Sequence, residues 1–390
     1  MSNSNIKNVI LFNSNLSIDD IKDFLEQSST LIISFDLDSN KKLEQNKIPY
    51  KKSDNWINEN EYKNIQNHVY KLSYWFDDPK IIEDLKYDGI NLGELFLGDL
   101  LYYLPGFISN FMKIKNIFSE FSNSHFYANG IFHDIVNNFT LNLINLKSKS
   151  IERSSNKMEF NIKVLNKNIH LNMPESQYFL LKKNMEKFLN YFLNFKKLSE
   201  NNNLLLVNFH TERYASLFEN SKDHPMKLFI YNTVMPNFWN YNTFSTIKKS
   251  KCHIINDPSL SSSLKIKCQE KISNFKNQSK QYWNKEDFFE SFFKYENISF
   301  WTPFKEYFFN LFENKIPDYI IQIEKIKVIL NKYKIKNILI WSETNPIDLI
   351  FLQLRNQYGH KVFKLQHGYY PESQTSHNFT RAFRIYGLKS

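Results

Sequence analysis

Short apolar runs that each lead into polar residues constrain this chain more than any other feature. NVILFN (8–13), TLIISFD (30–36), NLLLVNF (203–209), KLFIYN (227–232), CHIIN (252–256), NILIWSE (337–343) and KVFKLQHG (361–368) are all of this kind. Each is too short for a buried helix and rich in β-branched and aromatic residues, and helical periodicity separates neighbouring runs. Strands that read as continuous apolar runs, not as alternation, are buried on both faces, which is the signature of a parallel sheet covered by helices. The spacing therefore predicts an α/β protein with a Rossmann-like parallel sheet.

Between the two strand-rich ends the pattern changes. From about residue 59 to 202 long aromatic-rich helical segments dominate, broken by one β-like patch, MEFNIKVLNKNIHLNM (158–173). The expected organisation is residues 1–58 as a βαβ part of the α/β lobe, 59–202 as a large mainly helical insertion, and 203–390 as the rest of that lobe. A separate N-terminal βαβ subdomain is the alternative. No repeat of solenoid or propeller period is present.

Several function classes lose their support. The chain has only eight glycines in 390 residues, and none forms a GxGxxG or GxxxxGK[ST] loop, so nicotinamide-type dinucleotide binding and P-loop chemistry are not expected. HExxH, GxSxG and an EF-hand loop are also missing from the sequence. The formal charge of +10 comes from 50 basic residues, of which five are arginines. Arginine supplies the bidentate fork that phosphate and base recognition favours, so the excess reads as solvated lysine surface, and no nucleic-acid partner is expected.

Cys252 and Cys268 form no CxxC pair and suit a reducing compartment. The first residues, MSNSNIKNVILFN, show no basic stretch leading into a long apolar run. The expectation is a cytoplasmic protein. The apolar segment 91–112 carries Glu94, Asp99 and Pro105 and reads as a buried helix kinked near the proline, the alternative being peripheral contact with the inner face of a membrane.

Ligands of open parallel sheets bind beyond the carboxyl ends of the strands, where loops and helix N-termini converge. Applied to the runs above, that rule selects His210, Glu212 and Arg213 after the 203–209 run, Ser342 and Glu343 after 337–341, and Gln366, His367 and Gly368 after 361–365. Asn345 reads as the N-cap of a helix with Pro346 at its first position, Ile347, Ile350, Phe351 and Leu354 as its buried stripe, and Gly359 as its left-handed stop. Glu212 and Arg213 also fit an ion pair in the first turn of a helix. His224-Pro225, Asp36 and Asp38 read as turn residues.

The segment WSETNPIDLIFLQLRNQYGHKVFKLQHGYYPE (341–372) resembles the strand-helix-strand-QHG segment of GT-B-like proteins of bacterial surface polysaccharide assembly. That group includes capsule glycosyltransferases and relatives of CDP-glycerol glycerophosphotransferases. RAFRIYGLKS (381–390) resembles the strand that leads to their second lobe, and NLLLVNFHTERYASLFE and YDGINLGELFLGDLLYYL are similar to blocks in the same group. The resemblance implies a GT-B N-terminal-lobe fold and transfer of a sugar or polyol phosphate from a nucleotide-activated donor to a glycan or lipid-linked glycan acceptor. No further cofactor and no metal are implied.

On the resemblance, His367 is the general base or a hydrogen-bond donor to phosphate, Glu343 a second base candidate, and Gln366 and Asn345 orienting groups. Gly368 lets backbone approach the ligand, Tyr369 and Tyr370 stack on a sugar, Ser342 or Asn345 binds hydroxyls, and His210, Glu212 and Arg213 are further candidate substrate-binding residues. In that group the donor nucleotide sits on a second lobe, which this sequence would reach only at Ser390. The alternative is a non-catalytic Rossmann-like binding module that partners a separate catalytic lobe.

Overall fold

The computed structural model describes residues 5–146, 157–164, 167–193, 203–238, 240–282 and 284–365. The chain divides into two compact units, residues 1–78, 99–153 and 280–313 forming one, and 79–98, 154–279 and 314–390 the other.

The first unit is built on a parallel sheet of β1 (Asn8–Phe12), β2 (Thr30–Ser34), β3 (Lys51–Lys52), β4 (His125–Ala128) and β5 (Leu143–Asn145), ordered β3-β2-β1-β4-β5. Val9 to Phe12 are wholly buried, as the central strand of a sheet covered on both faces must be. Phe288, Phe289, Phe293, Phe300, Trp301, Phe304 and Phe308 are core of this unit. The Trp301 indole stacks on Phe289 with centroids 4.6 Å apart, and Trp75 meets Phe308 edge-on at 4.9 Å.

The second unit has a parallel sheet of β6 (Asn203–Val207), β7 (Lys227–Tyr231), β8 (His253–Ile254), β9 (Asn337–Ile340) and β10 (Lys361–Lys364), ordered β8-β7-β6-β9-β10. Leu204 pairs with Asn337, Leu206 with Leu339 and Leu339 with Phe363, all in parallel register. The expected parallel alignment of the 203–209, 337–343 and 361–368 runs is thus present. The 341–359 crossover also forms as its turn residues dictate. Asn345 caps the Pro346–Gln353 helix, Ile350 and Phe351 are fully buried, and Gly359 closes the next turn at φ 65°.

One expectation differs. The two strand-rich ends do not share a sheet, because strands 125–128 and 143–145, within the segment expected to be helical, complete the first sheet around the N-terminal strands. The patch at 158–173 forms an antiparallel hairpin of Lys157–Val164 with Lys167–Pro174. The apolar segment near Pro105 becomes a Leu97–Glu120 helix buried through Leu100, Leu104, Ile108 and Phe111. Among the described residues no helix is long and apolar enough to cross a membrane. The run FRIYGL lies outside the described residues.

Candidate functional site

In the second sheet the chain starts at β6, moves outward through β7 and β8, then returns to the other side of β6 as β9. Such a reversal is the preferred ligand position in an open α/β sheet, beyond the carboxyl ends of β6 and β9 here. The carboxyl ends of paired strands stand about 4.8 Å apart, so the loops leaving β6 and β9 are close enough to meet one ligand.

Three loops are tied together there by a chain of partly buried polar contacts. Asn208, directly after β6, adopts a left-handed φ of 57°, a conformation asparagine tolerates better than most side chains. Its Oδ1 accepts from the Thr233 backbone N–H at 3.2 Å and from Thr233 Oγ1 at 3.1 Å, in the loop after β7. Its Nδ2 donates to Asp348 Oδ1 at 3.3 Å. Asp348 Oδ2 in turn accepts the backbone N–H groups of Trp341 at 3.1 Å and Ser342 at 2.8 Å, in the loop after β9.

Asp348 is fully buried, and burial pushes its carboxyl up to about 7, with the three donated hydrogen bonds pulling only partly the other way. The indole Nε1–H of Trp341 donates to Tyr214 Oη at 2.9 Å and so ties the β9 loop to the β6 loop a second time.

Within that frame Glu343 stands apart. It is 8% exposed, and the Lys364 ammonium lies 2.7 Å from its Oε1 as an ion pair outside hydrogen-bond geometry. Neither Oε1 nor Oε2 has a hydrogen-bond partner among the described residues. Two hydroxyls flank it, Ser342 Oγ and Thr344 Oγ1, 3.1 Å from each other. The Thr344 carbonyl oxygen packs against Gly98 so closely that a β-carbon there would lie 2.6 Å away, which makes glycine a packing requirement at 98.

A buttress supports the same edge from the 175–192 helix. Tyr178 Oη donates to the Val234 carbonyl at 2.9 Å, and Lys182 Nζ donates to the Asn232 carbonyl at 2.7 Å. Asn237 Nδ2 donates to Glu186 Oε1 at 2.7 Å. Burial raises the Glu186 carboxyl, and the Lys182 ammonium 3.2 Å away opposes that rise. Thr211 Oγ1 donates to the Asn237 carbonyl at 2.6 Å, which joins the β6 loop to this buttress.

Of the residues the sequence singles out, Ser342, Glu343 and Asn345 share the β9 loop, and His210, Glu212 and Arg213 share the β6 loop. His210 is half-buried, and its carbonyl accepts from Tyr214 N–H at 3.1 Å. Glu212 and Arg213 are exposed, and the Arg213 guanidinium lies over the Tyr214 ring at 5.7 Å. Asn345 spends its side-chain oxygen on the Ile347 backbone N–H at 2.9 Å, a capping role. Gln366, His367, Gly368 and Tyr369 lie outside the described residues.

Sequence reasoning missed Asn208, Asp348, Thr233 and Lys364. The one available signal was an asparagine placed directly after a strand, where its side chain reaches neighbouring loop backbone. Among the described residues no group of three or more His, Cys, Asp or Glu is placed to hold a metal ion. No protein-family model matches the chain, and no curated protein and no solved structure is significantly similar to it.

Proposed function

We propose that the carboxyl edge of the second sheet binds a hydroxyl-rich ligand, as part of a glycosyltransferase-like activity. In this reading a sugar or polyol phosphate passes from a nucleotide-activated donor to a surface polysaccharide or its lipid-linked precursor. The observation that carries the reading is the Glu343 carboxylate, buried at the strand-order reversal with neither oxygen in a hydrogen bond. The Lys364 ammonium meets only Oε1; a buried acceptor left without a donor costs free energy, and a sugar or polyol hydroxyl supplies a donor for Oε2.

Glu343 would take the acceptor proton or hold a donor hydroxyl, with Ser342, Thr344 and His210 as further hydroxyl partners. His367 enters as base or phosphate ligand, with Gln366, Gly368 and Tyr369, on the sequence resemblance alone.

The helix that starts at Pro346 is a poor phosphate site. Proline has no N–H, Asn345 already accepts from Ile347, and the Asp348 carboxyl occupies the third helical position. The phosphates of a donor must therefore be bound by other groups. The proximity of Lys364 favours a second reading, because an ammonium 2.7 Å from Oε1 already occupies one side of the Glu343 carboxylate. Glu343 would then orient a hydroxyl in a non-catalytic binding module.

Nucleotide release from UDP-, CMP- and CDP-linked donors in the presence of glycan acceptors separates the two. Catalysis by Glu343 predicts a loss of about a hundredfold in turnover for Glu343→Gln, with the melting temperature retained. Unchanged turnover in that variant removes Glu343 from the chemistry. Ligand binding without turnover in the unaltered chain supports the binding module.

A further inference from the structure

Between residues 176 and 187 the 175–192 helix buries a polar stripe and exposes apolar side chains. Tyr178, Lys182 and Glu186, spaced four residues apart on one face, are buried in hydrogen bonds to the loop after β7. Leu180, Leu181 and Met185 are 62%, 51% and 41% exposed, and Val234, in the loop that Tyr178 holds, is 48% exposed. The inward polar stripe fixes the helix rotation, so these apolar side chains cannot turn inward without breaking three hydrogen bonds.

The exposed charges between residues 176 and 187 are Lys183 and Lys187, both cationic, and the only carboxylate in that stretch, Glu186, is buried. The sequence continues as FLNYFLNFKK (188–197), aromatic and basic with no acid, in a chain of net charge +10.

We propose that this outer face docks on an anionic lipid bilayer. Apolar side chains enter the boundary between headgroups and acyl chains, while Lys183 and Lys187 meet lipid phosphates. Cationic charge rimming the leucines favours that occupant over a second copy of this basic chain, since two copies would bring like charges together. So few apolar side chains give weak, reversible attachment. Docking there would hold the 232–237 loop, at the carboxyl edge of the second sheet, close to the lipid surface. The attachment stands whether or not that sheet takes part in sugar transfer.

Co-sedimentation of the full chain with vesicles tests it, using phosphatidylcholine alone and phosphatidylcholine with about a third phosphatidylglycerol. The unaltered chain should pellet with the anionic vesicles only, and less so at high salt. Leu181→Glu combined with Met185→Glu should lower the bound fraction about tenfold. Lys183→Glu with Lys187→Glu should do the same, and Ile266→Glu, at an exposed apolar position on the 262–282 helix, should not. These side chains are solvated, so each variant should keep its circular dichroism spectrum, and one that did not would be replaced by the Ser substitution at the same positions. Absence of pelleting, or equal pelleting of the Leu181 and Met185 variant, overturns the proposal. So does a dimer in sedimentation velocity that the same variant abolishes.

Discussion

Asp348 sits where a carboxylate is least comfortable, wholly buried, yet it accepts from three donors on two loops. Its folded value of about 7 lies above the ordinary aspartate value of 3.8, so the folded state holds the proton more tightly than the unfolded chain does. Its contribution to stability is therefore fully present below the unfolded value and is lost as pH rises through about 7. Asp348→Asn removes the titration and places an amide N–H or a single oxygen where two backbone N–H groups need an acceptor, a cost of about 1 to 3 kcal/mol. Chemical denaturation should show the variant clearly weaker than the unaltered chain near pH 5.5, with the gap shrinking toward pH 8.5. A gap that widens with rising pH would refute the assignment.

Gly98 makes the second claim at this scale. Its substitution by alanine meets the Thr344 backbone oxygen at 2.6 Å, and backbone cannot move aside as a flexible side chain can. Gly98→Ala should cost about 1 to 3 kcal/mol and displace the 342–345 loop, with ligand affinity falling alongside the denaturation midpoint. A stability and affinity equal to the unaltered chain would show that the loop has room to give.

At the scale of elements, much was legible before any coordinates. The crossover from β9 to β10 could be read residue by residue because Asn345, Pro346 and Gly359 each act through local backbone chemistry. The central strands were legible because an apolar run of five residues admits few other fates. β4 and β5 were not, since HFYA and LIN are too short to show a period and lie among helical neighbours.

The inverted 175–192 helix was also out of reach. Periodicity shows that a helix has two faces, but Tyr178, Lys182 and Glu186 are buried only because the 232–237 loop offers them partners. Asp348 was hidden for the same reason. An acid at the third helical position ordinarily faces solvent, and its donors Trp341, Ser342 and Asn208 are assembled only by the fold.

The whole molecule carries the same strand order twice, which the sequence could not show because apolar runs do not declare their sheet. The central strands of the two sheets read alike, NVILFN at 8–13 and NLLLVN at 203–208, and the asparagine ending each bridges its own reversal point. Asn13 Nδ2 donates to Asn129 Oδ1 at 2.6 Å in the first unit, as Asn208 Nδ2 donates to Asp348 Oδ1 at 3.3 Å in the second. The similarity ends at the acid. In the first unit one neutral amide donates to another, whereas the second adds the Glu343 carboxylate, met by the Lys364 ammonium at 2.7 Å, and that difference is why we propose the second sheet as the place for a hydroxyl-bearing ligand.

Hydrogen–deuterium exchange of the full chain, with and without a panel of nucleotide-activated sugars and polyols paired with glycan acceptors, tests that placement most directly. The account predicts slowed exchange in the loops at 208–214 and 341–345, reduced in Glu343→Gln. Protection confined to other segments, such as 13–15 and 129–131 at the edge of the first sheet, or no protection with any member of the panel, would contradict it.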